Sequence, residues 1–284
     1  MTGDTVTVTA RDGTRLAVHR RGAGAPLLCV PGGPGRAASY LENLAGLDAE
    51  RLLLLLDNRG SGASELPADR ESLQLTRLPD DVEDVCAALR LEPVDVLGHS
   101  AGCPVALLHA ARYPGRVRSL VLVTPSGRPF GWTPEDLDGI RAARSEEPWY
   151  AEAAQAQAAL EHANPRLRSQ LERETRPFWY GRWDGRAQAH AAAADHEVSL
   201  RAATGYAPGP GYDPEATRES LRAVRARTLV VVGDRDALTG ASVGARFVDL
   251  LPDAELAVVP SAGHFPWIDE PAAFRATVAA FLAR

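Results

Sequence analysis

Residues 94–102 limit the possible folds of this chain more than any other stretch. A short apolar run, residues 94–97, leads into the pattern Gly-x-Ser-x-Gly centred on Ser100, and residues 103–113 follow, mostly apolar and of helical length. This order predicts a strand, a sharp turn and a helix. Glycine on both sides lets the backbone pack tightly around a strained residue, so we expect Ser100 at the tip of the turn.

The expected place of Ser100 suggests a chemical role. Open α/β sheets carry their reacting groups at the C-terminal ends of parallel strands, and the N-terminus of the following helix directs N–H groups to the same point. A serine held there is typical of a nucleophile elbow. The five-residue pattern is common by chance, and it is the predicted strand and helix around it that make it informative.

Length and charge exclude several functional classes. The 284 residues suffice for one large domain or a domain with an insertion. The net charge is −6 and the basic residues, all arginine, are scattered, so no cationic stripe is available for nucleic acid or a membrane surface. The absence of lysine excludes a lysine nucleophile or phosphate-loop lysine. We therefore expect a small-molecule substrate and no nucleic-acid or membrane partner, and the oligomeric state stays open.

The cysteines and the N-terminal residues point to a reducing compartment. Cys29, Cys86 and Cys103 fall within a predicted strand and two predicted helices, as expected of small buried hydrophobic residues rather than disulfides or metal ligands. Residues 1–22 lack a signal-peptide core, and the longest apolar run, residues 52–56, is too short to cross a bilayer. We expect a soluble cytoplasmic protein that uses no metal or cofactor.

The remaining apolar patterns predict a mostly parallel eight-stranded α/β sheet with flanking helices. Alternating residues around Asp12-Gly13 predict an antiparallel hairpin. Continuous apolar runs predict parallel strands that are covered on both faces; they comprise residues 26–30, 52–56, 94–97, 119–123, 228–232 and 255–259. Helix-length segments separate these strands, and a last helix is predicted from residue 271.

Between residues 127 and 226 the strand pattern disappears. Helices are predicted over residues 134–145, 149–162, 165–175 and 183–204. Because this segment interrupts the sheet between two strands, we expect a helical cap over the C-terminal edge. It contains ten of the seventeen aromatic residues, and we expect about half of them in the cap's own core and the others at a substrate pocket.

A serine nucleophile needs a base and an acid that orients the base. Among the seven histidines, His264 follows the last predicted strand, whereas the side chain of His99 should point away from Ser100 into the scaffold. An acid after the strand at residues 228–232 gives the chain order serine, aspartate, histidine that this kind of fold uses. Asp234 and Asp236 both follow that strand and either could face the histidine; we choose Asp236.

Acyl transfer also needs N–H donors for the oxyanion. One is expected from Ala101, directly after the nucleophile, and the second from the glycine-rich loop at residues 31–35, where we assign Gly33 with Gly32 as the alternative. A phosphate-binding loop is the rival interpretation. Its Gly-x-Gly-x-x-Gly or Gly-Lys-Ser/Thr spacing is absent from this loop, and Pro34 removes one donor.

Five motifs occur together in this chain: Pro-Gly-Gly-Pro-Gly at residues 31–35, Asp-Asn-Arg-Gly-Ser-Gly-Ala-Ser at residues 57–64, the turn at Ser100, Asp236, and Gly-His-x-Pro at residues 263–266. Together they resemble the α/β-hydrolase superfamily, and within it most closely the proline iminopeptidase branch. The resemblance spans the core and implies three parts: a first core segment at residues 1–126, a helical cap at residues 127–226 and a second core segment at residues 227–284.

The resemblance implies a Ser-His-Asp hydrolase that acts through an acyl-enzyme, including an aminopeptidase that recognises a free α-ammonium with a carboxylate from the cap. Candidate acids are Glu172, Glu174, Asp184, Asp195 and Glu197. Asp195 and Glu197, near the end of the long helical segment, are the best placed, and at most one of them can point inward because they lie two positions apart on a helix. We choose Glu197 of the two, and expect further substrate contacts from Trp179, Trp183 and Phe265. Similar chains cleave esters, lactones or carbon–carbon bonds, and a lyase or a ligand-binding module on the same fold is the alternative of another class.

Overall fold

A sheet of eight strands forms the centre of the molecule. The structure, a computed structural model, describes residues 4–160 and 162–284. The strands are β1 (Thr5–Thr9), β2 (Arg15–Arg21), β3 (Ala25–Val30), β4 (Arg51–Leu56), β5 (Val94–His99), β6 (Val117–Val123), β7 (Arg227–Gly233) and β8 (Ala254–Val259). Their spatial order is β1-β2-β4-β3-β5-β6-β7-β8. Strand β2 pairs antiparallel with β1 and β4, and the neighbours from β4 to β8 pair in parallel.

The mostly parallel sheet confirms the prediction made from the apolar runs. Strands β3 to β7 consist mainly of buried residues because helices cover both faces of the sheet. The helices of the core are α1 (Leu78–Ala88), α2 (Gly102–Arg112), α9 (Ala241–Leu250), α10 (Pro266–Asp269) and α11 (Pro271–Leu282). Apolar residues of α1, α2 and α9 form one hydrophobic cluster with the sheet, and those of α11 contribute to a second.

The connection between β3 and β4 differs from the expected helix-length segment. It contains two short 3₁₀ helices, Ala38–Leu41 and Leu44–Ala49. Within the second, Ala45 and Gly46 have positive φ angles of 59° and 87°, and the Asn43 side chain accepts the N–H of Gly46. The chain therefore turns repeatedly here, and no regular α-helix forms over these residues.

The chain between β6 and β7, residues 124–226, is here named the helical insertion. Its α-helices are α3 (Leu137–Ala142), α4 (Tyr150–Leu160), α5 (Pro165–Glu174), α6 (Gly185–Glu197), α7 (Leu200–Gly205) and α8 (Pro214–Ser220). The helix predicted over residues 183–204 is divided because Val198 forms a β-bridge with Arg36 and the Ser199 side chain caps α7. The helices predicted over residues 134–145 and 149–162 are shorter in the structure, where they correspond to α3 and α4. Residue 161 of the second predicted helix lies outside the described residues.

The helical insertion packs against loops at the C-terminal ends of the strands. The Trp179 carbonyl accepts the N–H of His264 after β8, and the Tyr206 hydroxyl donates to the Ala101 carbonyl after β5. The division of the chain at residues 126/127 and 226/227 stays a prediction. Within residues 4–160 and 162–284, the helices are all too short or too polar to cross a bilayer.

Candidate active site

The turn between β5 and α2 holds Ser100 in a strained conformation. Its φ angle is +52°, in the left-handed region that residues with side chains rarely adopt. The flanking glycines make this turn possible: a Cβ on Gly102 would lie 2.2 Å from the Val30 carbonyl oxygen, and one on Gly98 would lie 2.9 Å from the Cα of Cys103. The elbow therefore has the local geometry that the sequence pattern predicts.

His264 and Asp236 form a buried pair. The Nδ1 atom of His264 lies 3.0 Å from Oδ2 of Asp236, and the two residues are 2% and 0% exposed. Because a carboxylate only accepts hydrogen bonds, Nδ1 carries the proton and Nε2 is left free to accept one. A histidine in this tautomer is suited to take a proton from a serine hydroxyl.

The loop after β7 surrounds the Asp236 carboxylate with donors. Oδ1 accepts the N–H groups of Leu238 at 2.9 Å and Thr239 at 3.1 Å, and the Thr239 hydroxyl donates to Oδ2. Burial acts to raise the pKa of Asp236, but its pairing with His264 and these hydrogen bonds together lower it below the ordinary aspartate value. Asp234, the other candidate acid, is exposed. The side chain that meets the histidine is that of Asp236.

The end of β6 brings the serine and the histidine to the same region of the sheet. The Ser100 N–H donates to the Val123 carbonyl at 2.9 Å, and the hydroxyl of the next residue, Thr124, donates to the His264 carbonyl at 3.0 Å. The two predicted reacting residues are thus held by adjacent residues of one strand end, although 164 positions separate them in the sequence.

The loop after β3 lies directly against the elbow. A Cβ on Gly32 would be 2.8 Å from the Ser100 Cβ and 3.1 Å from the Ala101 nitrogen. The N–H of Gly32 donates to the Tyr40 hydroxyl at 2.7 Å, so it is not available to a substrate. Within the described residues, the N–H groups of Gly33 and Ala101 have no acceptor. This favours Gly33 over Gly32 as the second oxyanion donor.

The three predicted aromatic contacts lie in different surroundings. Trp179 and Trp183 are partly exposed. Phe265 is 4% exposed and packs between other rings, with centroid distances of 5.0 Å to Tyr180 and 5.1 Å to His264. Phe265 therefore supports the imidazole of His264 from the side, whereas the two tryptophans keep surface that a ligand could reach.

Glu197, the predicted ammonium ligand, already has a cation beside it. Both Nε and one terminal nitrogen of Arg36 lie 2.8 Å from Glu197 Oε2, and the Ser39 hydroxyl donates to Oε1 at 2.7 Å. Arg36 is only 5% exposed. Asp195 points to the surface and pairs with Arg176 at 2.6 Å. Of these two acids, Glu197 is the one that faces inward, and its negative charge is balanced by Arg36.

A family model described as the alpha/beta hydrolase fold matches residues 25–271, most of the chain. The chain belongs to this alpha/beta hydrolase family.

Relatives of this α/β hydrolase carry out different reactions. Proline iminopeptidase of Heyndrickxia coagulans is 24% identical over 270 residues, which cover 92% of this chain and 91% of the relative. 2-Hydroxymuconate semialdehyde hydrolase of Pseudomonas sp. (strain CF600) is 30% identical over 276 residues, which cover 95% and 91%. The solved structure of proline iminopeptidase from Mycobacterium smegmatis superposes with a TM-score of 0.76 at 25% identity, covering 99% of this chain and 98% of that one.

Three residues of the candidate site were not identified by the sequence analysis. Thr239 donates to the Asp236 carboxylate, Tyr40 accepts from Gly32, and Arg36 pairs with Glu197. Thr239 follows Asp236 by three positions, which is the spacing of a local side-chain-to-backbone turn, so this contact had a readable signal. Tyr40 and Arg36 had none, because Gly32 lies eight positions before Tyr40 and Glu197 lies far along the chain from Arg36, so neither contact has the spacing of a local turn.

Proposed function

We propose that this α/β hydrolase is a serine hydrolase that cleaves an ester or amide bond of a small, largely apolar substrate. Ser100 attacks the carbonyl carbon while His264 takes the hydroxyl proton, and Asp236 holds the histidine in the required tautomer. The N–H groups of Gly33 and Ala101 stabilise the oxyanion. His264 then protonates the leaving group, and water cleaves the acyl-enzyme with His264 again acting as base. The proposed steps use side chains, backbone N–H groups and water alone.

One observation carries this proposal: the buried His264–Asp236 hydrogen bond of 3.0 Å, at the sheet edge where Ser100 is strained into an elbow. Proteins keep a buried charge where it is paired with another group or where it serves a functional site. Among residues 4–160 and 162–284, no acceptor is found for the N–H groups of Gly33 and Ala101 beside Ser100. This supports the same chemistry, because an acyl-transfer site needs two donors without an internal acceptor.

The ion pair of Glu197 supports a substrate without a free α-ammonium. An ammonium in a partly desolvated cleft needs a carboxylate. The Glu197 carboxylate is engaged by Arg36 and Ser39. Each of the other four candidate acids also has a partner: Glu172 with Arg168, Glu174 with Gln170, Asp184 with the first N–H groups of α6, and Asp195 with Arg176. We therefore place a neutral ester or amide first among the substrates.

An aminopeptidase is the second candidate, and it is favoured by the two relatives named proline iminopeptidase. In that function Glu197 would exchange Arg36 for the substrate ammonium. A carbon–carbon bond hydrolase is the third, favoured by the relative named 2-hydroxymuconate semialdehyde hydrolase.

The test is a parallel screen of p-nitrophenyl esters, lactones, aminoacyl amides and a vinylogous 1,5-diketone, with Ser100→Ala as the blank. We expect turnover of neutral esters that the blank lacks. Turnover of aminoacyl amides alone would replace the ester proposal by the aminopeptidase. Reaction with a fluorophosphonate, but no turnover of any member of the panel, would indicate a non-hydrolytic lyase or a ligand-binding module.

A further inference from the structure

Buried hydrogen bonds join the loop after β3 to the backbone of His264. The Gly32 N–H donates to the Tyr40 hydroxyl at 2.7 Å. The same hydroxyl lies 2.6 Å from His99 Nδ1, and His99 Nε2 lies 3.0 Å from the His264 carbonyl oxygen. Tyr40 and His99 are 2% and 1% exposed. We refer to these three bonds as the Tyr40–His99 chain.

Only one arrangement of protons satisfies all three bonds. The His264 carbonyl can only accept, so His99 Nε2 carries a proton and Nδ1 is an acceptor. Tyr40 must then donate its proton to Nδ1 and accept from Gly32 with an oxygen lone pair. Burial lowers the pKa of His99 well below the usual histidine value, and burial raises that of Tyr40. Both groups therefore stay neutral, and the donor and acceptor of each hydrogen bond in the Tyr40–His99 chain are fixed.

The Tyr40–His99 chain ends at both sides on backbone groups next to the proposed chemistry. Gly32 directly precedes Gly33, whose N–H is the proposed oxyanion donor. At the other end, the bonded carbonyl belongs to His264 itself, and it also accepts from the Thr124 hydroxyl at 3.0 Å. A small change in either backbone group would move a donor or the base relative to Ser100, and a misplacement of about 1 Å in a catalytic geometry can cost about a hundredfold in rate.

We propose that Tyr40 and His99 are positioning residues that hold the oxyanion loop and the base in register with Ser100. Tyr40 anchors Gly32 so that the next N–H faces the substrate carbonyl, and His99 anchors the backbone of His264. This inference rests on the proposed hydrolase function. Neither side chain exchanges a proton with the substrate, so the pair affects the transition state rather than substrate binding.

The molecule contains a matched control for this pair. The Tyr180 hydroxyl lies 2.7 Å from His190 Nδ1, and His190 Nε2 lies 3.0 Å from the carbonyl oxygen of Tyr40. Tyr180 is 0% exposed, and burial raises its pKa as it does that of Tyr40. The second pair thus repeats the same chemistry, but it ends on the main-chain carbonyl of Tyr40 and not on its hydroxyl. Tyr180→Phe therefore leaves the three bonds of the Tyr40–His99 chain in place.

The experiment compares Tyr40→Phe with Tyr180→Phe on p-nitrophenyl butyrate, with thermal unfolding of both. Each change removes one buried hydroxyl bonded to a histidine, so we expect similar losses of stability. For Tyr40→Phe we expect kcat to fall about tenfold or more with KM changed less than about twofold, since the loss is confined to the transition state. For Tyr180→Phe we expect kcat within about twofold of wild type. Equal effects of the two changes on kcat would overturn the proposal.

Two His99 variants provide the second measurement. In His99→Gln the amide nitrogen can still donate to the His264 carbonyl, whereas His99→Leu removes that donor. We expect His99→Gln to keep several times more kcat than His99→Leu, and the same order in the rate of phosphonylation by a fluorophosphonate, which requires no substrate. Equal rates in both assays would overturn the role of His99. Retention of turnover or labelling by Ser100→Ala would instead overturn the hydrolase function, so the two failures are distinguishable.

Discussion

The guanidinium of Arg36 lies 2.8 Å from the carboxylate of Glu197 and fastens the loop after β3 to the last turn of α6. The backbone reinforces this junction, because Ala37 N–H donates to the Glu197 carbonyl at 3.0 Å and Arg36 forms a β-bridge with Val198. The Arg36 guanidinium also lies 4.4 Å from the centroid of the Tyr40 ring. The junction therefore joins the helical insertion to the loop that carries the proposed oxyanion donor.

Glu197→Gln should destabilise the protein by about 2 kcal/mol, because it leaves a nearly buried guanidinium without its counter-charge. Urea unfolding at neutral pH measures this difference. The double variant Arg36→Met/Glu197→Leu should recover most of the loss, since removing both charges leaves no unpaired ion. If Glu197→Gln leaves stability unchanged and selectively abolishes cleavage of aminoacyl amides, Glu197 binds substrate and the ester proposal is wrong.

Ser100→Ala and His264→Ala should each lower kcat by about six orders of magnitude, and the double variant by little more, because the groups act as one unit. Single-turnover kinetics on whichever ester the screen identifies measures the effect. A Ser100→Ala enzyme that keeps a tenth of wild-type turnover would contradict the nucleophile assignment.

Asp236→Asn should preserve the fold yet lower kcat about ten-thousand-fold, because the amide favours the wrong tautomer of His264. Asp234→Asn is the control: this side chain is exposed, and we expect turnover within about twofold of wild type. Steady-state kinetics on both variants compares the two acids, and the reverse ranking would mean that Asp234 orients the base.

Asp269 should make folding stability depend on pH. Its Oδ2 accepts the N–H of Gly181, in the helical insertion, at 2.9 Å and the N–H of Gly263, the residue before His264, at 2.8 Å. The residue is 3% exposed, and burial raises its pKa to about 6 despite these hydrogen bonds. Between about pH 4 and 6 the folded protein therefore binds a proton that the unfolded chain releases, so this group's contribution to stability falls as pH rises through that window and is constant above it.

The change expected from Asp269 is about 3 kcal/mol, from about 1.4 kcal/mol per pKa unit. Asp269→Asn can still accept both N–H groups through its amide oxygen and does not titrate. The difference in unfolding free energy between wild type and this variant should therefore shift in the variant's favour from pH 4 to pH 7. Urea unfolding at several pH values measures the difference, and a difference that is constant with pH would contradict the raised pKa.

The sequence indicated the sheet and the loops that end its strands, because both depend on local patterns. Continuous apolar runs mark covered parallel strands, and Ser100, Asp236 and His264 each follow such a run. Chain order does not distinguish Asp234 from Asp236, which both lie between Ser100 and His264; in the structure Asp236 is the one that contacts His264. The family resemblance was confirmed by the matched family model.

What the sequence did not indicate depends on contacts between distant residues. The continuous helix predicted over residues 183–204 was wrong because the pairing of Val198 with Arg36, 162 positions away, interrupts it. The contact of Tyr40 with His99 and the ion pair of Glu197 with Arg36 were missed for the same reason. A hydrogen bond across the fold leaves no periodicity in the sequence, and only the assembled tertiary structure specifies it.

The hydrogen bond between the His264 N–H and the Trp179 carbonyl, 2.6 Å long, joins the helical insertion to the main chain of the proposed base. Beside Ala101 the structure leaves a cavity of about 10 Å³, with Ala202 and Tyr206 of the insertion in its wall. The insertion thus contacts the main chain next to both the proposed nucleophile and the proposed base, so any displacement of Trp179 would break the bond that holds the His264 N–H.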